Sequence, residues 1–205
     1  MSRAKTVDGY SRRIASTLET LGLAGYRAVR VKQVHGNKVI VVDGGEQSSW
    51  VEADGMVTRN NGVALVTVHA DCFPVFFLST GAVGLVHSGW RGVMSGVVSQ
   101  GLKAMLDLGV TLEEMWVVFG PGVGPCCYSF GQPGRAEFSQ RFGSGVVQGD
   151  RVDLYMAMVV QLLKAGVPRE NIGPRPLCTS CNWHLFFSHR REAECGRFAA
   201  IAALL

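Results

Sequence analysis

No run in this sequence approaches the ~20 uninterrupted apolar residues that a membrane-spanning helix needs, so no membrane partner is expected. Its opening, MSRAKTVDGYSRR, carries basic residues but no apolar segment behind them, which argues against a secretory signal and for a cytoplasmic location. Internal repeats, low-complexity tracts and linkers are also lacking. A length of 205 residues then suits one domain, 1–205, with a sizeable core. Charge of one sign is scarce. The formal net charge of +4 is scattered, and the densest basic group, Arg190-Arg191-Arg197, lacks the interleaved aromatics of a stacking platform. That excludes nucleic acid as the expected partner. Nothing in the sequence sets the oligomeric state.

Two residue types are plentiful. The six cysteines, without an export signal, read as free thiols or metal ligands rather than disulfides. The 26 glycines imply many tight turns, which suits a strand-rich protein.

The chemistry concentrates in residues 67–92, TVHADCFPVFFLSTGAVGLVHSGWRG. Two apolar runs, Phe73 to Leu78 and Ala82 to Val86, flank Ser79-Thr80-Gly81 and predict a hairpin of buried strands. A third run, Gly62 to Val68, leads into it. Such a hairpin brings Cys72, before its first strand, against His87, after its second. A thiol beside an imidazole supports either metal ligation or an activated nucleophile.

The rest of the chain reads as α+β with mixed sheets flanked by helices. A helix is expected over Ser11 to Leu21, strands over Tyr26 to Val34, Lys38 to Val42 and Met56 to Thr58, and a loop over 46–52. One helix from Val93 to Leu106 should follow the hairpin, then a strand at Met115 to Phe119 and an irregular loop, GPGVGPCCY, at 120–128. A short helix over 133–142 and a helix N-capped by Asp153 come next. Leu185 to Ser188 and Arg197 to Leu204 are expected to close the fold as strands.

Five histidines are present: His35, His69, His87, His184 and His189. Should the strand end at His35 lie beside the hairpin's open end, His35, Cys72 and His87 form a three-ligand set. Two imidazoles and a thiolate suit zinc with one position left for water. Spacing alone leaves the alternative open, that Cys72 is a small buried hydrophobe and the imidazoles are ordinary hydrogen-bonded side chains.

The motifs QVHG at 33–36, ADG at 53–55, ADCFPV at 70–75 and HSGWRG at 87–92 occur in order. They are followed by GPGVGPCCY at 120–128, CTSC at 178–181, FFSHRR at 186–191 and GRF at 196–198. Together they resemble the successive signatures of the YfiH family, also called laccase-domain or polyphenol oxidoreductase proteins and described as purine nucleoside phosphorylases. The resemblance implies a YfiH-like fold and a zinc site at His35, Cys72 and His87. It also implies phosphorolysis of adenosine, inosine and methylthioadenosine, with adenosine deamination, so the expected partners are a small nucleoside and phosphate. A His₂Cys set also suits copper. A laccase, however, needs a trinuclear cluster in addition, and His69, His184 and His189 are too few to build one.

Around that site, Asp71 is the candidate proton carrier and Arg91, at a helix start, the candidate phosphate clamp. Gln33 and Cys127 are candidate substrate contacts. Three positions depart from the family pattern: His69 stands where threonine is usual, Ser88 where alanine is, and His189 where tyrosine is. The first helix also comes unusually soon, as if an opening segment of the relatives were missing. A second metal set, Cys178 and Cys181 with His184 and Cys195, is conceivable from the Cys-x-x-Cys spacing alone. The rival functions are a cysteine hydrolase using Cys72 and His87, a peptidoglycan-precursor editing factor and a non-enzymatic binding protein.

Overall fold

A computed structural model describes residues 3–43 and 51–205, with the side chains of 3–11 left aside. The loop expected over 46–52 lies largely outside the described residues. The elements run α1 (Arg3–Thr20), β1 (Arg27–Arg30), β2 (Val39–Val41), β3 (Gly55–Thr58), β4 (Val63–His69), β5 (Phe73–Leu78) and β6 (Val83–Ser88). Then come α2 (Trp90–Ser95), α3 (Val97–Asp107), β7 (Trp116–Phe119), α4 (Gly134–Phe142), β8 (Val147–Gln148), β9 (Arg151–Val152), α5 (Leu154–Lys164) and β10 (Phe198–Ala203).

Two mixed sheets carry the α+β fold. One is ordered β1-β4-β10 and the other β2-β3-β6-β5-β7, with β8 and β9 forming a small ribbon apart. The pleat of β4 sorts its side chains between two cores. Val63 and Leu65 pack with Met56, Val83 and Leu85 between the sheets, whereas Ala64 and Val66 pack under Ile14 and Leu18 of α1. On the far face of the five-stranded sheet, Phe73, Val75, Phe77 and Val86 meet Val97, Leu102 and Met105 of α3 and Met158 and Leu162 of α5. The layers are therefore helix, sheet, sheet, helices. Because β5 and β6 are covered on both sides, their sequences are near-continuous apolar runs rather than alternating ones.

The hairpin forms as expected, with Pro74 opposite His87 and Phe73 opposite Ser88. Asp153 caps α5 by accepting from the Met156 N–H at 3.0 Å, which satisfies one of that helix's orphan donors. Three expectations need correction. The helix over Val93 to Leu106 is two helices, broken at Gly96, whose φ of +80° is left-handed and cannot continue an α-helix. The strand expected from Tyr26 to Val34 ends at Arg30. Leu185 to Ser188 is not a strand: the Leu185 and Phe186 N–H groups turn back onto the Asn182 carbonyl, at 3.0 and 3.1 Å.

Candidate metal centre

The strand ends that the two sheets present at one edge of the sandwich carry His69 (β4), His87 (β6) and the segment after β1. His35, Cys72 and His87 converge there, their ligand atoms all within 4.8 Å of one another. The His35 and His87 rings stand edge to face at 4.9 Å between centroids. His87 is buried, Cys72 half-buried and His35 exposed, so the group opens on one side only.

Asp54 organises the three. It is fully buried and accepts from the His87 Nδ1 at 2.9 Å. It also accepts from the backbone N–H groups of Val34, His35 and Gly36, at 3.2, 2.9 and 2.6 Å. One carboxylate thus fixes the His87 ring, leaves Nε2 for a ligand, and pins the loop that delivers His35. A carboxylate behind a ligating histidine is a recurrent feature of metal sites, because it sets the tautomer and raises basicity. The pinned loop holds His35 at φ +62°, and Asp71, one residue before Cys72, has φ +85°. Among the described residues these are the only non-glycine positions with positive φ. Strain held in this way gathers at functional sites. Gly89 closes the centre from below. A Cβ on it would sit 2.7 Å from the Cys72 Sγ and 3.3 Å from the His35 ring.

Electrostatics follow from this packing. Burial pushes the Cys72 thiol up, but hydrogen bonds and positive charge from His35 and His87 prevail and bring it down to about 6. For His87, burial favours the neutral ring, yet the Asp54 carboxylate and the Cys72 sulfur outweigh it and raise it to about 9. Asp54 moves the other way: burial opposes its charge, and His87 with the Gly36 and His35 amides holds it below the usual carboxylate range. Without metal, the centre is a thiolate–imidazolium pair backed by a carboxylate. The residues fit a metal ion, since their ligand atoms lie within 4.8 Å of one another and Asp54 holds the His87 Nδ1, leaving Nε2 to ligate once its proton is released.

His69 is no fourth ligand. It is 1% exposed, with Nδ1 donating to the Cys72 carbonyl at 3.0 Å and Nε2 accepting from the Thr67 hydroxyl at 2.7 Å. Burial and the nearby His87 charge depress it to about 3, so the ring stays neutral and both nitrogens are engaged. Ser88 carries a buried hydroxyl with no hydrogen-bond partner among the described residues.

The centre forms one wall of a cavity of about 670 Å³ that Gln33, Asp71, Trp90, Arg91, Tyr128, His189, Arg190 and Arg197 also line. Arg91 lies over the Trp90 ring at 4.5 Å and has no ion-pair partner among the described residues. Asp71 accepts from the Thr179 hydroxyl at 2.6 Å and the Arg190 N–H at 2.5 Å. Gln33 faces the cavity, but its amide bridges both backbone groups of Val68 at 2.9 Å. Cys127 is not among the cavity's lining residues and lies with Cys126, Cys178 and Cys181 instead. That grouping also corrects the conceivable second set, because His184 and Cys195 do not join Cys178 and Cys181.

Sequence reasoning missed Asp54, Tyr128, Arg190 and Arg197. Asp54 was visible only as the middle of the ADG motif. Its partners at 34–36 and 87 are distant in sequence, so nothing local marked its role.

The chain matches the family described as multi-copper polyphenol oxidoreductase laccase over residues 4–205. It is 34% identical over 183 residues to the purine nucleoside phosphorylase LACC1 of Mus musculus, covering 82% of this chain and 42% of that protein. To the purine nucleoside phosphorylase YlmD of Geobacillus stearothermophilus it is 35% identical over 191 residues, covering 81% of this chain and 68% of the relative. The chain therefore spans less than half of the mammalian relative. Among solved structures, YlmD from Geobacillus stearothermophilus superposes with a TM-score of 0.81 at 32% identity, covering 91% of this chain and 76% of the other. The YfiH protein of Bacillus licheniformis gives 0.83 at 26% identity, over 91% and 78% of the two chains.

Proposed function

Because this chain belongs to the multi-copper polyphenol oxidoreductase laccase family, we propose that it is a zinc-dependent purine nucleoside phosphorylase that also deaminates adenosine. Inosine, adenosine and methylthioadenosine are its proposed substrates. The observation that carries this reading is the placement of three convergent metal donors on the wall of a cavity that also holds Arg91, Arg190 and Arg197. The relatives' name, purine nucleoside phosphorylase, agrees with it. Polyphenol oxidation through a trinuclear copper cluster does not fit. His69 is fully engaged, and among the described residues neither His184 nor His189 joins a metal-competent group.

In phosphorolysis a phosphate oxygen bonds to the sugar C1′, the glycosidic C–N bond breaks toward the base, and the leaving purine takes a proton. The dianion needs fixed cations. Arg91, which has no ion-pair partner among the described residues, binds it, and Arg190 and Arg197 add charge from the same cavity wall. Trp90 and Tyr128 supply the apolar wall for the base. Zinc, when bound by His35, Cys72 and His87, supplies Lewis-acid activation of an oxygen nucleophile. Asp71, held by Thr179 and Arg190, is assigned the proton traffic that deamination requires at C6.

The test is incubation of metal-quantified protein with inosine or adenosine, with and without phosphate. Phosphate-dependent release of hypoxanthine or adenine with ribose 1-phosphate is expected, and phosphate-independent inosine from adenosine marks the deaminase. Arg91→Ala should raise the KM for phosphate about 10- to 100-fold, the worth of a charged hydrogen bond of roughly 1.5–3 kcal/mol. A protein that turns over neither nucleoside but is inactivated by alkylation of Cys72 would instead be a cysteine hydrolase, for which Asp54, His87 and Cys72 are already aligned.

A further inference from the structure

Behind the cavity, Cys126, Cys127, Cys178 and Cys181 bring four sulfurs within 4.8 Å of one another. We propose that these four cysteines bind a second, structural zinc ion that fastens two loops of the cavity wall together. Four thiolates around zinc at about 2.3 Å place neighbouring sulfurs about 3.8 Å apart. Here Cys181 lies 3.4 Å from both Cys126 and Cys127.

That equal approach separates an ion from a disulfide. One sulfur cannot bond two partners, and all four thiols are free, whereas a metal accepts all of them at once. The backbone is also shaped for thiolates. The Gly124 N–H donates to the Cys178 Sγ at 3.2 Å. Gly124 cannot carry a side chain without crowding the group, since a Cβ there would lie 3.2 Å from both the Cys126 Sγ and the Cys178 Cβ. Between the two loops, the Thr179 N–H donates to the Gly122 carbonyl at 3.0 Å and the Gly122 N–H to the Leu177 carbonyl at 3.3 Å. The Arg191 guanidinium donates to the Thr179 and Ser180 carbonyls at 3.2 and 3.3 Å, fixing the loop that carries Cys178 and Cys181.

With four protein ligands the site is closed, the mark of a structural rather than a catalytic ion. Its consequence reaches the cavity through two neighbours. Tyr128, next to Cys127, lines the cavity. Thr179, between Cys178 and Cys181, holds Asp71.

Metal analysis of protein purified under reducing conditions tests this independently of any activity. About two zinc ions per chain are expected, falling to about one in Cys72→Ser and about one in Cys178→Ser, with Cys195→Ser retaining about two. In Cys72→Ser protein, a chelator should still lower the Tm, and cobalt(II) replacing zinc should show the intense charge-transfer bands of tetrahedral thiolate ligation. These two measurements stand if Cys178→Ser fails to fold. A single ion that is lost in Cys72→Ser but kept in Cys178→Ser, a count unchanged in Cys178→Ser, bound iron, a Cys181 disulfide by mass spectrometry, or no cobalt–thiolate spectrum would each overturn the proposal, whereas a single ion lost only in Cys178→Ser supports it and counts against the first centre instead.

Discussion

His87 is the residue on which the centre's protonation turns. Its pKa of about 9 lies above the ordinary 6.5, so the ring is cationic at neutral pH and loses its proton as pH rises through 9. Cys72, at about 6 against an ordinary 9.0, is already a thiolate there and gains a proton only as pH falls through 6. A metal requires the neutral imidazole and the thiolate. Zinc binding to this centre should therefore release about one proton between pH 6 and 9, more below 6 and progressively none above 9. Calorimetry of the Cys178→Ser protein in buffers of different ionisation enthalpy measures that number directly. Proton release that does not vary with pH would contradict the imidazolium–thiolate assignment. The stability linkage has the same signs. The His87 contribution is complete below 6.5 and lost through 9, and the Cys72 contribution is complete above 9.0 and lost as pH falls through 6.

At the scale of elements, the turn from β6 into α2 sets the reach of the sulfur. Gly89 allows it, since a Cβ there would meet the Cys72 Sγ at 2.7 Å. Gly89→Ala should displace Cys72 or His35 by several tenths of an ångström and weaken zinc binding about 10- to 100-fold, the usual scale for a disturbed metal surround. Competition with a chromophoric chelator reads this out. The β5–β6 hairpin was legible because burial on both faces writes itself as two uninterrupted apolar runs. The α2–α3 break was not, because Gly96 interrupts a stripe whose apolar residues continue on both sides, and only its φ of +80° shows that the helix ends. Leu185 to Ser188 misled for the opposite reason: an apolar run there is folded into turns after the Cys-x-x-Cys loop, leaving Leu185 and Phe187 exposed. Local pattern reports burial and period; it does not report which sheet a strand joins. Hence β4 reads as the hairpin's forerunner yet pairs with β1 and β10 in the other sheet.

Over the whole molecule, the two sheets converge at one edge so that Gln33, His35, Asp71, Cys72, His87, Trp90 and Arg91 line one cavity, with Asp54 buried against His87. The meeting of His35, Cys72 and His87 was legible from ordered motifs, while Asp54 and the loop arginines needed the fold, since their partners come from remote segments. No described helix is long and apolar enough to cross a membrane. The account's central claim is that His35, Cys72 and His87 hold one zinc ion on which turnover depends. Titrating zinc into metal-stripped protein while following phosphate-dependent base release from inosine measures this. Turnover is predicted to rise from background to a plateau as the centre fills, and His35→Ala should stay at background while keeping the Tm of the folded chain. Full turnover in the stripped protein, or undiminished turnover in His35→Ala, would contradict it.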